Sequence, residues 1–364
     1  MSDPMTSVPA QCDDITVEWL NANLPTGIGK VSSLRIENLG AGVGILGEVA
    51  RLHLAYAEGE KGPATMVAKC QSMAAENVFI ATLMGFYQRE VNFYRQIANN
   101  VPMRVPTPYI VAADPTGAPF VLVMEEIVGS RCPNQIEGIT VRDAENIIDT
   151  VASLHARFWN TDALFALDWL PPMNNPLYKG AKDLAIAKWD GFQERFAAKV
   201  DPQLLDTIGR LIPKYPELLD WWIEQGHPTF THTDCRAENY LFGGSSGEST
   251  ITMIDFQLCT RHVGAWDIAN LLAGSLTPQT RRVNETALVE RYHRNIVQAG
   301  IEGYDLDTCW RHYRASLLQQ AFASVVVSDL DPSNERGADL LEQLFLRPWL
   351  AAADHDVESF LSEF

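Results

Sequence analysis

The hydrophobic periodicity of this chain changes character once, between Glu126 and Cys132, and that change limits the folds open to it. Before it, strand-like runs dominate. SSLRIENL (Ser32 to Leu39) and GEVARLHLAY (Gly47 to Tyr56) flank the glycine-rich GAGVGILG, and in the second run Ala50, Leu52, Leu54 and Tyr56 fall on one face. A hairpin with a glycine corner is predicted there, followed by a third strand at TMVAKCQ (Thr65 to Gln71). Phe79, Leu83, Phe86, Phe93 and Ile97 then recur at helical spacing, which predicts one amphipathic helix up to Asn99. After the proline-rich VPMRVPTP, the runs YIVAAD and FVLVMEE, joined by PTGAP, predict two more strands. Residues 1–128 are therefore expected to form a small lobe, an antiparallel sheet with one helix.

From Ile127 onward the pattern is helical. Thr140 with Asp143 three positions later reads as a capping box, and Ile147, Ile148, Val151, Leu154 and Phe158 follow at helical spacing. Further helices are expected over Glu285 to Ala299, Cys309 to Ser328 and Gly337 to Phe360. Within this part only YLF and TITMIDF, separated by GGSSGES, return to strand character, as a hairpin that begins beside Asn239 and ends at Asp255. The fold class is α+β with two lobes, residues 1–128 and 129–364, and a chain of 364 residues exceeds one ordinary core.

Composition narrows the function. With 46% hydrophobic and 20% charged residues the chain is globular, and a formal charge of -18 disfavours nucleic acid and anionic membranes as partners. No stretch reaches the roughly 20 apolar residues of a membrane helix. The six cysteines form no CxxC pair and the N-terminus carries no apolar leader, so a cytoplasmic protein is expected. Small neutral or cationic partners fit this charge, and nothing in the sequence speaks to oligomeric state.

The chemistry concentrates in THTDCRAENYLF (Thr231 to Phe242), which sets His232, Asp234 and Asn239 close together at the mouth of the hairpin. Asn239 and, across the hairpin, Asp255 offer the hard oxygen ligands that Mg²⁺ takes. Asp234 is then left to receive a proton from an attacking hydroxyl.

H-T-D-C-R-A-E-N followed by I-D-F-Q, with a glycine-rich hairpin, a lysine on strand three and a helix glutamate upstream, resembles the aminoglycoside phosphotransferase and choline kinase superfamily. The likeness is greatest to its ecdysteroid-kinase-like branch. LHARFW around His155, GAWDIANLL and the helical tail extend it over nearly the whole chain. The resemblance implies a bilobal protein-kinase-like fold that uses ATP and Mg²⁺, with GTP open in place of ATP. It implies that Lys69 contacts the nucleotide phosphates and pairs with Glu90, that Asp234 is the catalytic Asp, and that Asn239 and Asp255 hold the metal. It also places Gly40, Gly42 and Gly44 at the phosphates and Met124, Glu125 and Ile127 in the adenine-contacting hinge. The chain departs from the family at Ile45 and Leu46, where many relatives carry small polar residues, and at Thr233, where relatives usually have Gly.

Other readings compete for the same residues. His232, Cys235, Cys259 and His262 have zinc-ligand spacings. A catalytically inactive nucleotide-binding protein is a further class on this fold. His155 and His232 read as structural hydrogen-bonding residues and Asp267 as a cap or loop anchor. Arg236 either holds the catalytic loop or touches substrate. The expected acceptor is a small-molecule hydroxyl, since no separate activation segment with an APE-like end follows Asp255. A neutral or amphipathic alcohol, sterol-like or a hydroxyacyl thioester, is favoured by the resemblance and by the apolar DALFALDWLPPMNNPLYKG (Asp162 to Gly180), a candidate pocket-lining insert. The alternative is an aminoglycoside, met by Asp354, Asp356, Glu358 and Glu363.

Overall fold

The alternation in the first third of the chain builds a five-stranded sheet of β1 (Val31–Asn38), β2 (Gly47–Tyr56), β3 (Thr65–Gln71), β4 (Pro108–Ala113) and β5 (Phe120–Glu125). The order is β1-β2-β3-β5-β4, and every neighbouring pair is antiparallel. The structure, a computed structural model, describes residues 7–39, 46–244, 247, 250–329 and 335–364. It divides into two compact units, Met1–Ser130 with Gly243–Leu258, and Arg131–Phe242 with Cys259–Phe364. The segment that carries Asp255 thus belongs with the sheet, although it lies within residues 129–364.

Strand parity decides what each face of the sheet does. Met66, Ala68 and Cys70 of β3 join Ala50, Leu52, Val121 and Val123 in one buried cluster, which Trp19 and Leu20 of the short Val17–Asn23 helix cover. Thr16 caps that helix by accepting from the Trp19 amide at 3.1 Å. Fully burying its Leu, Val and Met side chains stabilises the unit by about 1.5–3 kcal/mol each. Because successive strand residues point to opposite faces, Val67 and Lys69 lie on the other side of the sheet from this core.

The single helix predicted after β3 is broken. It forms Ala75–Leu83, then Phe86–Asn92, then a π-helical turn at Phe93–Ile97. Gly85, with φ 71°, separates the first two by adopting the left-handed conformation that glycine reaches without steric penalty. The predicted apolar face is broken with it, since Phe79 and Leu83 are 68% and 54% exposed whereas Phe93 and Ile97 are buried.

In the second unit the Thr140 capping box forms as expected. Thr140 Oγ1 accepts from the Asp143 amide at 3.0 Å and Asp143 Oδ2 accepts from the Thr140 amide at 3.3 Å. The Val141–Phe158 helix that follows buries Ile147, Ile148, Val151, Leu154 and Phe158 and packs on the Pro278–Gln298 helix. Helices Ala181–Phe196, Pro202–Glu224, Ala265–Ser275, Leu306–Val326 and Glu335–Ala353, with the short Asp162–Phe165 and Pro176–Lys179 helices, make up the rest of the helical part, with a final 3-10 turn at Glu358–Ser362. Strand character is not confined to the Tyr240–Gly243 and Ile251–Met253 hairpin arms. An antiparallel ribbon of Pro228–Thr231 and Thr260–Val263 is also present, and it leads directly into the segment that carries Asp234.

Candidate active site

In the first unit, Lys69 is the centre of a buried charge cluster. Its Nζ lies 3.0 Å from Glu90 Oε1, 2.8 Å from Glu90 Oε2 and 2.9 Å from Asp255 Oδ1. The geometry has local causes. Strand parity turns Lys69 away from the Cys70 core, and Glu90 sits in the middle of the Phe86–Asn92 helix, buried to 1%. Asp255 adopts φ 66° between Met253, the last residue of a strand, and Phe256, whose ring stacks on Phe93 with centroids 3.5 Å apart. Burial on its own would lower the Lys69 pKa, but Asp255 and then Glu90 outweigh it and hold the ammonium protonated, above the usual lysine range. Burial pushes the Glu90 carboxyl up, and the ammonium it shares with Asp255 does not bring it back. One cation therefore serves two carboxylates.

The same unit anchors the end of the glycine-rich turn. Tyr87 Oη donates to the Leu46 carbonyl at 2.8 Å and accepts from the Ser72 amide at 3.1 Å. At Gly47 a Cβ would come 2.9 Å from the Cys70 carbonyl oxygen and 3.6 Å from Lys69 Cε, so this position requires glycine for close approach. Gly40, Gly42, Gly44 and Ile45 lie outside the described residues. Met124 and Ile127 are buried at and just beyond the end of β5. The Glu125 carboxylate is engaged by Arg104 Nη2 at 2.6 Å and Thr107 Oγ1 at 3.0 Å, which makes its side chain a brace between β5 and the segment that leads into β4.

In the second unit, the loop carrying Asp234 hangs on Asp267. This fully buried carboxylate accepts from the His232 amide at 2.7 Å and the Thr233 amide at 2.8 Å, and lies 3.1 Å from His155 Nε2. His155 Nδ1 is in turn 2.9 Å from Tyr292 Oη. Thr233 has φ 72°, a region that disfavours a branched side chain by about 1–2 kcal/mol. Its amide bond to Asp267 and its hydroxyl, 2.9 Å from Thr260 Oγ1, offset that. Asn239 Nδ2 donates to the Asp234 carbonyl at 2.7 Å and to Asp234 Oδ2 at 2.9 Å, so the two side chains predicted to work together are in contact. Donation from Nδ2 fixes the Asn239 amide, which leaves Oδ1 as the oxygen available for a hard cation. Arg236 bridges the same loop, with Nε 3.3 Å from Asp234 Oδ2 and Nη1 2.8 Å from Glu238 Oε2. Its contacts are those of a loop-holding residue.

The zinc alternative finds no geometry, because among the described residues no three His, Cys, Asp or Glu side chains are arranged to hold a metal. Cys235 instead lies 2.6 Å from Tyr240 Oη, and burial raises its thiol pKa well above the usual range. His262 is held neutral by burial, which pushes its pKa down to about 3. Sequence reasoning left open the part of Arg236 and did not find the brace at Glu125. Asp267 was legible as an anchor from its place at the start of the helix in GAWDIANLL.

Among the described residues no helix is long and apolar enough to cross a membrane. Among curated proteins none matches the chain. The profile described as "Phosphotransferase enzyme family" (APH) matches residues 82–312, a span that takes in Glu90, Asp234, Asn239 and Asp255 and begins after Lys69. Solved structures share the fold at low identity. One is a candidate aminoglycoside phosphotransferase of Ralstonia eutropha JMP134, at 14% identity and TM-score 0.54, covering 95% of this chain and 97% of that one. The GDP complex of a point mutant of aminoglycoside 2'-phosphotransferase-IIIa is also similar, at 14% identity and TM-score 0.54 over 90% and 95% of the two chains. Plasmodium vivax ethanolamine kinase follows at 12% identity and TM-score 0.50, over 88% and 84%. Since the family profile covers more than half of the sequence and reaches from the helix of Glu90 past the loop of Asp234, the chain belongs to the phosphotransferase enzyme family.

Proposed function

We propose that the protein transfers the γ-phosphoryl group of ATP to a hydroxyl of a small neutral or amphipathic alcohol, sterol-like or a hydroxyacyl thioester. The observation that carries the ATP reading is Lys69, buried with its ammonium held between Glu90 and Asp255. A buried ion cluster of this kind adds little net stability, and apolar replacement is often neutral or stabilising by about 1–4 kcal/mol. Its presence favours a chemical role. Lys69, oriented by Glu90, would meet the negative oxygens of the nucleotide phosphates. Asp234, held by Asn239 and Arg236, would take the acceptor's hydroxyl proton as that oxygen forms its bond to the γ-phosphorus and the bond from phosphorus to the ADP oxygen breaks. Asn239 and Asp255 would hold Mg²⁺, a fit supported by their oxygen donors and by carboxylate charge that Lys69 alone does not balance. Bound there, the metal supplies charge neutralisation at the phosphate oxygens.

The alcohol is favoured over an aminoglycoside because the Asp162 to Gly180 insert is apolar and because three of the four tail acids are engaged elsewhere. Asp354 pairs with Arg282, Glu358 with Arg210 and Glu363 with Arg311. The test is ATP-to-ADP turnover by purified protein against matched panels of aminoglycosides, hydroxylated steroids and hydroxyacyl thioesters. Turnover with one of the last two panels is expected. Efficient phosphorylation confined to the aminoglycosides would overturn the preference.

A further inference from the structure

The second unit contains a pocket of about 200 Å³ that none of the residues assigned to phosphoryl transfer lines. It lies at the Val263 end of the ribbon, where Val263 pairs with Pro228, between the end of the Pro202–Glu224 helix and the Asp162 to Gly180 insert. Phe165, Trp222, Pro228 and Val263 make its walls apolar. Of the lining residues only Arg261 carries a charge, since burial keeps His262 neutral.

Arg261 is the unusual feature. Its guanidinium carbon sits 5.2 Å from the centroid of the Phe165 ring, so one face is covered by an aromatic. Stacking leaves the five N–H groups on the edge of the guanidinium for acceptors. Among the described residues no carboxylate, carbonyl or hydroxyl accepts from that side chain. Burial alone lowers its pKa, with no carboxylate to offset the loss of water. Asp220, which Asn174 of the lining touches at 3.1 Å, is already paired with Lys179 at 2.6 Å.

We propose that this pocket binds a small monocarboxylate with a short apolar body, its carboxylate taken by Arg261 and its hydrocarbon by the Phe165, Trp222 and Val263 walls. Size agrees, because a cavity of roughly 150 Å³ holds benzene and the pocket is somewhat larger. Arginine takes a planar carboxylate through two parallel hydrogen bonds, a match that an alcohol of equal length cannot make. The site is also connected to the loop of Asp234. The His262 and Trp266 rings are 5.2 Å apart, and Trp266 Nε1 donates to the Thr233 carbonyl at 3.2 Å. The inference stands apart from the acceptor reading, since binding needs neither ATP nor turnover.

The experiment is calorimetric titration of the full-length protein with hexanoate, with 1-hexanol and acetate as controls, repeated on Arg261→Met and Arg261→Lys. Hexanoate is expected to bind saturably and at least about tenfold more tightly than 1-hexanol, because hydrogen bonds to a charged group are stronger than those to a neutral one. Arg261→Met should lose that preference and Arg261→Lys should keep part of it. Thermal unfolding of each variant checks that it is folded. Equal affinity for hexanoate and 1-hexanol, full binding by folded Arg261→Met, or no saturable binding of hexanoate up to about 10 mM would each overturn the proposal.

Discussion

Two carboxylate clusters in this molecule look alike in a contact map and differ in how far hydrogen-bond donors match the carboxylates. Around Asp267 one fully buried carboxylate meets two backbone N–H groups and an imidazole, so donors match the acceptor. Around Lys69 two carboxylates compete for one ammonium, and the Asp255 side chain remains 32% exposed. A balanced, sealed carboxylate holds structure in place. An unbalanced one that keeps some access to solvent is suited to receive a cation and a phosphate. The first should therefore matter for stability and the second for turnover.

The largest effect is expected at the balanced cluster. Asp267→Ala leaves the buried His232 amide and the partly buried Thr233 amide without their acceptor, and should destabilise the protein by about 3–5 kcal/mol in urea unfolding. A loss under about 1 kcal/mol would erase the distinction between the clusters. Next, Lys69→Met should lower turnover by roughly 10²-fold, about 2.7 kcal/mol of barrier, and the urea midpoint should move little in the Lys69→Met/Glu90→Gln double variant, where the cation and the buried carboxylate charge leave together. Glu90→Gln should reproduce much of that loss, and the double variant should be little worse than either single, because coupled residues are not additive. Additive losses would show that Asp255 alone positions the ammonium. The smallest effect is expected at Gly47→Ala, where a methyl 2.9 Å from the Cys70 carbonyl should destabilise the β2–β3 pairing by about 1–2 kcal/mol, read by thermal unfolding.

Much of the first unit was legible because half-buried strands alternate. The bounds of β2 and β3 agree with the apolar pattern residue for residue. The helix after β3 was not, since its apolar period continues through Gly85 and a period carries no sign of a left-handed residue. Phe79 and Leu83 fit the spacing and still face solvent. The Pro228–Thr231 and Thr260–Val263 ribbon escaped notice because its strands are four residues long, too short for a period to emerge. At the site, residue types and their order came from the sequence. Contacts did not, since Lys69 and Asp255 are 186 positions apart and only the fold brings them within 2.9 Å. The parts played by Arg236 and Glu125 depended on neighbours, Glu238 for one and Arg104 for the other, that no local pattern reveals.

The most direct measurement is ATP turnover by Asp234→Ala beside its nucleotide affinity by calorimetry. Asp234 touches Asn239 and Arg236 in the second unit, and its proposed work is on the acceptor's proton. The account predicts a fall in turnover of roughly 10²- to 10⁴-fold, about 3–5 kcal/mol of barrier, with nucleotide affinity nearly unchanged. Turnover at the wild-type rate in this variant would contradict it.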